Sequence, residues 1–268
     1  MAAGSRCRDT LRALGGFSMT ATVTARPPSA PATIVARDRL FYSGMAIAMA
    51  LTVFAGFLPT YYLRLLGDGP TTTINGLAFT PMVRLHAVIF SGWVLLFVAQ
   101  TTFIASHRVK LHQRAGIAGG VFAAAMVVVG MSTATEATAR GSAPPGIDPL
   151  SFFAIPFFDM TLFAVFITTA LWNRRIKDTH KRLMLLAYIS ILTAAVARLP
   201  GVLPLGPFGF YGLTFVFLVV AIAYDYLSRR HVHRVYVWGG ALLVMSVPGR
   251  LLLSETAAWK AFAAFVAR

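Results

Sequence analysis

Charged positions divide the chain into seven apolar runs, residues 40–63, 85–107, 115–135, 149–173, 183–199, 211–224 and 235–253. A hydrocarbon layer about 30 Å thick takes roughly 20 helical residues, because every backbone N–H and C=O must be satisfied inside it. The first four runs are long enough outright, and the fourth holds one acid, Asp159. The fifth includes Arg198, the seventh includes Arg250, and the sixth follows the helix-breaking link PGVLPLGPFG. A long arginine side chain near a helix end reaches the headgroups, so neither arginine vetoes its span. The pattern predicts an all-α, polytopic transmembrane bundle of about seven spans within residues 39–254. Residues 1–38 lack the apolar h-region of a secretory signal and read as a disordered basic tail. Residues 255–268 place Trp259, Phe262 and Phe265 at helical spacing, which predicts an amphipathic helix lying in the interface.

Composition sharpens this picture. The 268 residues are 57% hydrophobic and 12% charged, and the mean hydropathy is +0.71. These values describe a chain whose solvent is the lipid bilayer. The single cysteine, Cys7, excludes a disulfide framework and any cysteine-based metal site. A net charge of +15 raises the question of nucleic acid, but the basic residues punctuate hydrophobic runs instead of forming one face, so no nucleic-acid partner is expected. Seventeen of the 24 Lys and Arg residues fall in the tail and in the loops SHRVKLHQR, NRRIKDTHKR and SRRHVHR. That bias predicts a cytoplasmic N-terminus and inner loops touching anionic lipid headgroups, in a bacterial inner membrane.

Ionisable groups within a span cost about 2.5–3.5 kcal/mol at a helix centre. At about 1.5 Å per residue, Asp159 sits roughly 12–15 Å below the outer boundary. By the same ruler Arg198, Arg250, Arg84, His86 and Glu136 belong to the outer half. These residues, with Gln100 on the second span, predict an outward-facing polar pocket in which Asp159 pairs with Arg198 or Arg250. In the competing reading the arginines are interfacial anchors and Asp159 bonds to a neighbouring hydroxyl. Gly116, Gly120 and Ala124, at four-residue intervals, further predict a third helix central in the bundle, a generic Ala/Gly-rich span being the alternative.

Three segments, LHQRAG, THKRLM and HVHRVY, repeat a histidine beside an arginine where a helix opens after a basic loop. Internal duplication and ordinary interfacial chemistry explain this equally. His112 and His180, with His233 as a spare, fall at one depth on different helices, as two axial ligands of a b-type haem must. Imidazoles beside Lys and Arg also serve simply to bond carbonyls and headgroups. His231 and His233 are too few for a zinc site, and no metal is expected. No Walker loop, Gly-x-Ser-x-Gly elbow, His-Glu-x-x-His or dinucleotide fingerprint occurs.

At HAVIFSGWVLLFVAQTTFIASHRVKLHQRAG, KRLMLLAYISILTAAVARLPG and AYDYLSRRHVHRVYVWGG, the chain resembles a family of uncharacterised multi-pass bacterial membrane proteins. The resemblance points to His86, Trp93, Gln100, His112, Arg114 and Arg198, and implies a topology without a reaction. A weaker likeness to membrane cytochromes b and ferric-reductase-type domains is confined to histidine spacing, and paired histidines at both depths are missing here. Three classes of function follow. They are small-ligand binding, sensing or transport with no cofactor; haem- or quinone-linked redox work; and non-catalytic assembly of a membrane complex beside a partner.

Overall fold

The structure is a computed structural model describing residues 32–268 except 68, 70, 71, 74, 75 and 145. The tail expected over residues 1–38 lies outside the described residues up to position 31. Eight helices follow: α1 (Ala32–Phe57), α2 (Pro81–Ala105), α3 (Val109–Ala139), α4 (Ala154–Trp172), α5 (Lys177–Val196), α6 (Gly206–Arg229), α7 (Arg234–Ser254) and α8 (Ala257–Val266). A π-helical turn, Leu58–Tyr62, and a last turn, Leu63–Leu65, prolong α1, and the turn Pro149–Phe152 precedes α4. The described residues thus form an all-α bundle.

Helix starts follow their caps. Thr80 accepts from the Val83 N–H with Pro81 at the first position, so α2 begins four residues before its apolar run. Asp148 caps Pro149–Phe152 by accepting from the Leu150 N–H, and Thr256 caps α8 through the Trp259 N–H. His233 opens α7, its Nδ1 accepting from the Val235 N–H.

Six helical segments are long and apolar enough to cross a membrane, Thr33–Leu65, Pro81–Ala105, Val109–Ala139, Pro149–Trp172, Leu203–Arg229 and Arg234–Ser254. The chain is therefore a multi-pass membrane protein. The remaining long helix, α5, opens with the charged KDTHKR and is the least apolar, yet twelve of its twenty residues are buried. Its contact with α4 is the most extensive in the bundle, and it also meets α6 and α7. A helix surrounded by protein does not need a lipid-compatible surface, which is how α5 carries its charges.

Cross-helix bonds define two ends. At the near end, Asp38 and Arg39 of α1 meet Lys181 of α5 and His107 after α2, and Tyr42 meets Tyr236 of α7. At the far end Tyr62 meets Ser91 of α2, and Arg198 after α5 lies over Phe57. Helices α1 to α7 run in alternating directions between these ends.

The glycine stripe of α3 does not do what its spacing predicts. A Cβ on Gly116 would meet nothing, and one on Gly120 would make ordinary contact with Leu171. The buried face of α3 is Ala123, Met126, Gly130, Ala134 and Thr138, and the central helix is α5. Close backbone approach occurs instead at Gly56 of α1, where a Cβ would stand 2.2 Å from the Ala195 carbonyl oxygen of α5. Helix α8 packs Trp259 against Phe153, Phe157 and Phe158, and the Trp259 Nε1 donates to the Leu150 carbonyl.

Candidate functional site

Asp159 is 7% exposed, on the face of α4 that also buries Met160, Phe163 and Phe166. Opposite it, α7 supplies Arg250, 2% exposed, whose Nη1 bonds the Asp159 carboxylate and donates to the Tyr211 hydroxyl of α6 at 2.9 Å. Its Nη2 donates to the Ser246 hydroxyl at 2.8 Å and its Nε to the Ser246 carbonyl at 3.2 Å. The guanidinium carbon lies 5.3 Å from the Tyr211 ring centroid and 5.7 Å from that of Phe158. A charge withdrawn from water persists when paired and hydrogen-bonded, and Arg250 meets both conditions. Pro248, two residues earlier, has no N–H for the Val244 carbonyl and gives α7 a weak point beside the pair.

Asp159, Arg250, Tyr211, Ser190 and Thr193 border a cavity of about 10 Å³ together with apolar side chains. A buried water needs roughly that volume and two to four polar partners, whereas ligand pockets run from about 300 Å³ upwards. The space suits one water.

The other expected pocket residues stand apart from this pair. Arg198 donates from Nη1 to the Ala194 carbonyl at 2.6 Å and lies 4.7 Å from the Phe57 ring centroid. His86 stacks on Phe90 at 3.9 Å, and its Nδ1 is buried without a partner. Arg84 is exposed and donates to the Phe79 carbonyl at 3.4 Å. Glu136 pairs with Arg140 at 3.7 Å and lines an open cleft of about 430 Å³ with Ser132, Thr135 and Arg268. Gln100 belongs to the near end. In the amide orientation that satisfies its neighbours it donates to His112 Nδ1 at 2.6 Å and accepts from the Gly116 N–H at 3.1 Å.

The three histidines considered as haem ligands differ in what their ring nitrogens bond. The rings of His112 and His180 are 6.5 Å apart, centroid to centroid, on separate helices. His180 Nδ1 donates to the Ala170 carbonyl at 2.8 Å, leaving Nε2 for a ligand bond. The Gln100 bond instead makes His112 Nδ1 an acceptor, so in the neutral ring the proton occupies Nε2 and that ligand bond is blocked. His233 is committed in the same sense by the Val235 N–H. Of the three imidazoles, His180 alone commits Nδ1 to a carbonyl, so that the Nε2 lone pair of its neutral ring stays free. Among the described residues, no three His, Cys, Asp or Glu side chains gather as a metal site.

The largest polar assembly lies at the near end. Arg182 and Asp225, both 0% exposed, face each other across α5 and α6, with Nε 3.2 Å from Oδ2 and Nη2 on Oδ1. Asp225 also accepts from the Arg229 side chain at 3.3 Å and from the His233 N–H at 2.8 Å. Arg182 reaches the Asp178 carboxylate at 3.2 Å, and Asp178 holds Lys181 at 2.5 Å. Asp38 of α1 then receives Lys181 at 2.6 Å, Arg229 at 2.6 Å and the Tyr224 hydroxyl at 2.8 Å. This network ties four helices together, and sequence reasoning missed it. The available signal was the pair of four-residue spacings, Asp178 to Arg182 and Asp225 to Arg229, on consecutive helices.

Every acid among the described residues has a cationic partner. The arrangement supports shuttling a proton to or from Asp159, or rearranging one ion pair, more readily than covalent chemistry: the described site contains no nucleophile bonded to a base. Comparison with protein-family models, with curated proteins and with solved structures gives no match.

Proposed function

We propose that this is a proton-responsive membrane protein that transports or senses a small solute through the Asp159, Arg250 and Tyr211 site, in the outer half of a bacterial inner membrane. The basic near end, with the loops around Arg108, Arg174 and Arg230, then faces the cytoplasm and anionic headgroups. One observation carries the reading: a buried carboxylate paired with a single arginine borders a water-sized polar cavity in the middle of four helices. Water and a proton fit that space. A larger solute requires α7 to move from α4, and Pro248 gives that motion a place to occur. The resemblance to uncharacterised multi-pass bacterial proteins is consistent with this topology and adds no reaction.

The test uses the full chain in sealed vesicles under a pH gradient, following proton flux with an internal dye and tryptophan fluorescence against pH. Flux or a pH-dependent fluorescence change that Asp159→Asn abolishes supports the proposal. Native protein that shows neither, or an Asp159→Asn variant that retains both, overturns it.

A second proposal, a haem-linked redox component, rests on the 6.5 Å approach of His112 and His180. It requires Gln100 to release His112 Nδ1. A Soret band in protein purified after growth with haem, lost in His180→Ala, supports it, and colourless protein after reconstitution rejects it.

A further inference from the structure

Three polar groups at the far end are left over from the site above. Arg198 spends one N–H on its own helix, at the Ala194 carbonyl, and every described acid is paired with another cation. A guanidinium carries five N–H donors, so most of the hydrogen-bonding capacity of Arg198 is not used by a bond among the described residues. The buried His86 Nδ1 and the buried Thr60 Oγ1 have no hydrogen-bond partner among the described residues. Leaving such a group unsatisfied costs about 1–3 kcal/mol each, which a fold does not sustain without a reason.

Packing contacts between α1, α2 and α5 connect the segments that carry these groups. Gly56 lets the α1 backbone touch α5 at Ala195, which sets Phe57 under the Arg198 guanidinium. Thr60 follows three residues later, inside the π-helical turn Leu58–Tyr62. Such turns redirect side chains and are frequent at functional sites. The Tyr62 hydroxyl bonds Ser91 of α2 at 2.8 Å, fixing that turn against the helix that carries His86. Arg198 is also near enough to act electrostatically on the His86 ring, which is held flat on Phe90.

We propose that Arg198, His86 and Thr60 form a binding site for an anionic oxygen group, a phosphate or carboxylate, between the far ends of α1, α2 and α5. The guanidinium supplies charge, the imidazole Nδ1–H and the threonine hydroxyl supply the two remaining donors, and an anion satisfies all three at once. The same chemistry serves a free anion or the phosphate of a lipid headgroup. The proposal does not depend on the Asp159 site.

The experiment uses the full chain with two probes. Inorganic phosphate is titrated into detergent-purified protein while the thermal midpoint is followed, and phosphatidylglycerol retention is measured from nanodiscs of phosphatidylglycerol in phosphatidylcholine. A saturable rise with phosphate identifies a free-anion site, and selective retention of phosphatidylglycerol alone identifies a headgroup site. Either result supports the proposal when Arg198→Gln weakens binding about tenfold or more and Arg234→Gln, which removes an exposed charge at the other end, does not. Thr60→Val and His86→Phe distinguish a ligand site from a packing defect: each weakens binding while leaving the unliganded midpoint unchanged or raised. Those two variants also carry the test should Arg198→Gln not fold. Binding of neither probe, or undiminished binding in all three site variants, overturns it.

Discussion

Asp225→Ala is the most informative perturbation of the near-end network. The substitution leaves Arg182, fully buried, with Asp178 as its remaining carboxylate partner, and strips the His233 N–H and one Arg229 N–H of their acceptor. Removing one member of a buried ion pair typically costs about 3–5 kcal/mol, because the other charge stays behind uncompensated. For a chain of this size each kcal/mol moves a thermal midpoint by about 2–4 °C, so a fall of roughly 6–20 °C is expected. Arg182→Met should produce a similar fall by leaving the buried Asp225 with Arg229 as its remaining cationic partner. The double variant Arg182→Met/Asp225→Leu removes both charges and should recover at least about 2 kcal/mol relative to the sum of the single losses. The assay is thermal unfolding of purified protein in a neutral detergent, read by circular dichroism. Single variants within about 2 °C of the native midpoint, or a double variant as damaged as the sum, would refute the reasoning.

Gly56→Val should lower the midpoint by the equivalent of about 1–3 kcal/mol, since its Cβ meets backbone and not a movable side chain; a cross-link between α1 and α5 that forms as readily as in the native protein would show the approach to be dispensable. The Asp148 carboxyl is pushed up by burial, but the Leu150 N–H and the Ser151 hydroxyl, with Lys260 3.5 Å away, hold it below its ordinary value of 3.8. Its stabilising effect is therefore complete above that ordinary value and disappears as pH falls through the lower folded value, so docking of α8, read by Trp259 fluorescence, should loosen only in strong acid; Asp148→Asn should lose this acid step. Trp259→Phe removes the bond to the Leu150 carbonyl and should cost about 1 kcal/mol, visible as faster proteolysis after Lys260; an unchanged cleavage rate would argue against that anchor.

The chain's helices were legible because apolar runs must match the thickness of a bilayer. All seven predicted runs are helical, but six of them, not seven, are long and apolar enough to count as spans, since the charged opening of α5 lowers its hydropathy. Boundaries shifted outward wherever a cap or a charged first turn extended a helix past its apolar run, as Thr80 does for α2 and Lys177–Arg182 do for α5. The pairing of Asp159 with Arg250 was legible as one of two options, because helical depth limits the cations within reach. Tyr211 escaped notice, since a tyrosine near a span boundary has no charge to flag it. Asp38 was read as part of the tail and Asp225 lay one residue beyond a predicted span, so the network they complete was hidden by boundary placement. Gln100 was placed with the outer residues, although its bonds to His112 and Gly116 put it at the opposite end. Depth ranks residues along the bundle axis, but which faces meet depends on helix rotation, and one sequence does not specify that.

The central claim is that Asp159 and Arg250 act as a sheltered pair whose rearrangement is the protein's response to protons. A double-mutant cycle of Asp159→Asn and Arg250→Gln, read by both thermal midpoint and pH-driven flux or fluorescence, tests it most directly. The account predicts that each single variant abolishes the response and that the two stability losses couple by about 1–3 kcal/mol, so that the double variant is less damaged than their sum. Additive stability losses together with a retained proton response in either single variant would contradict it.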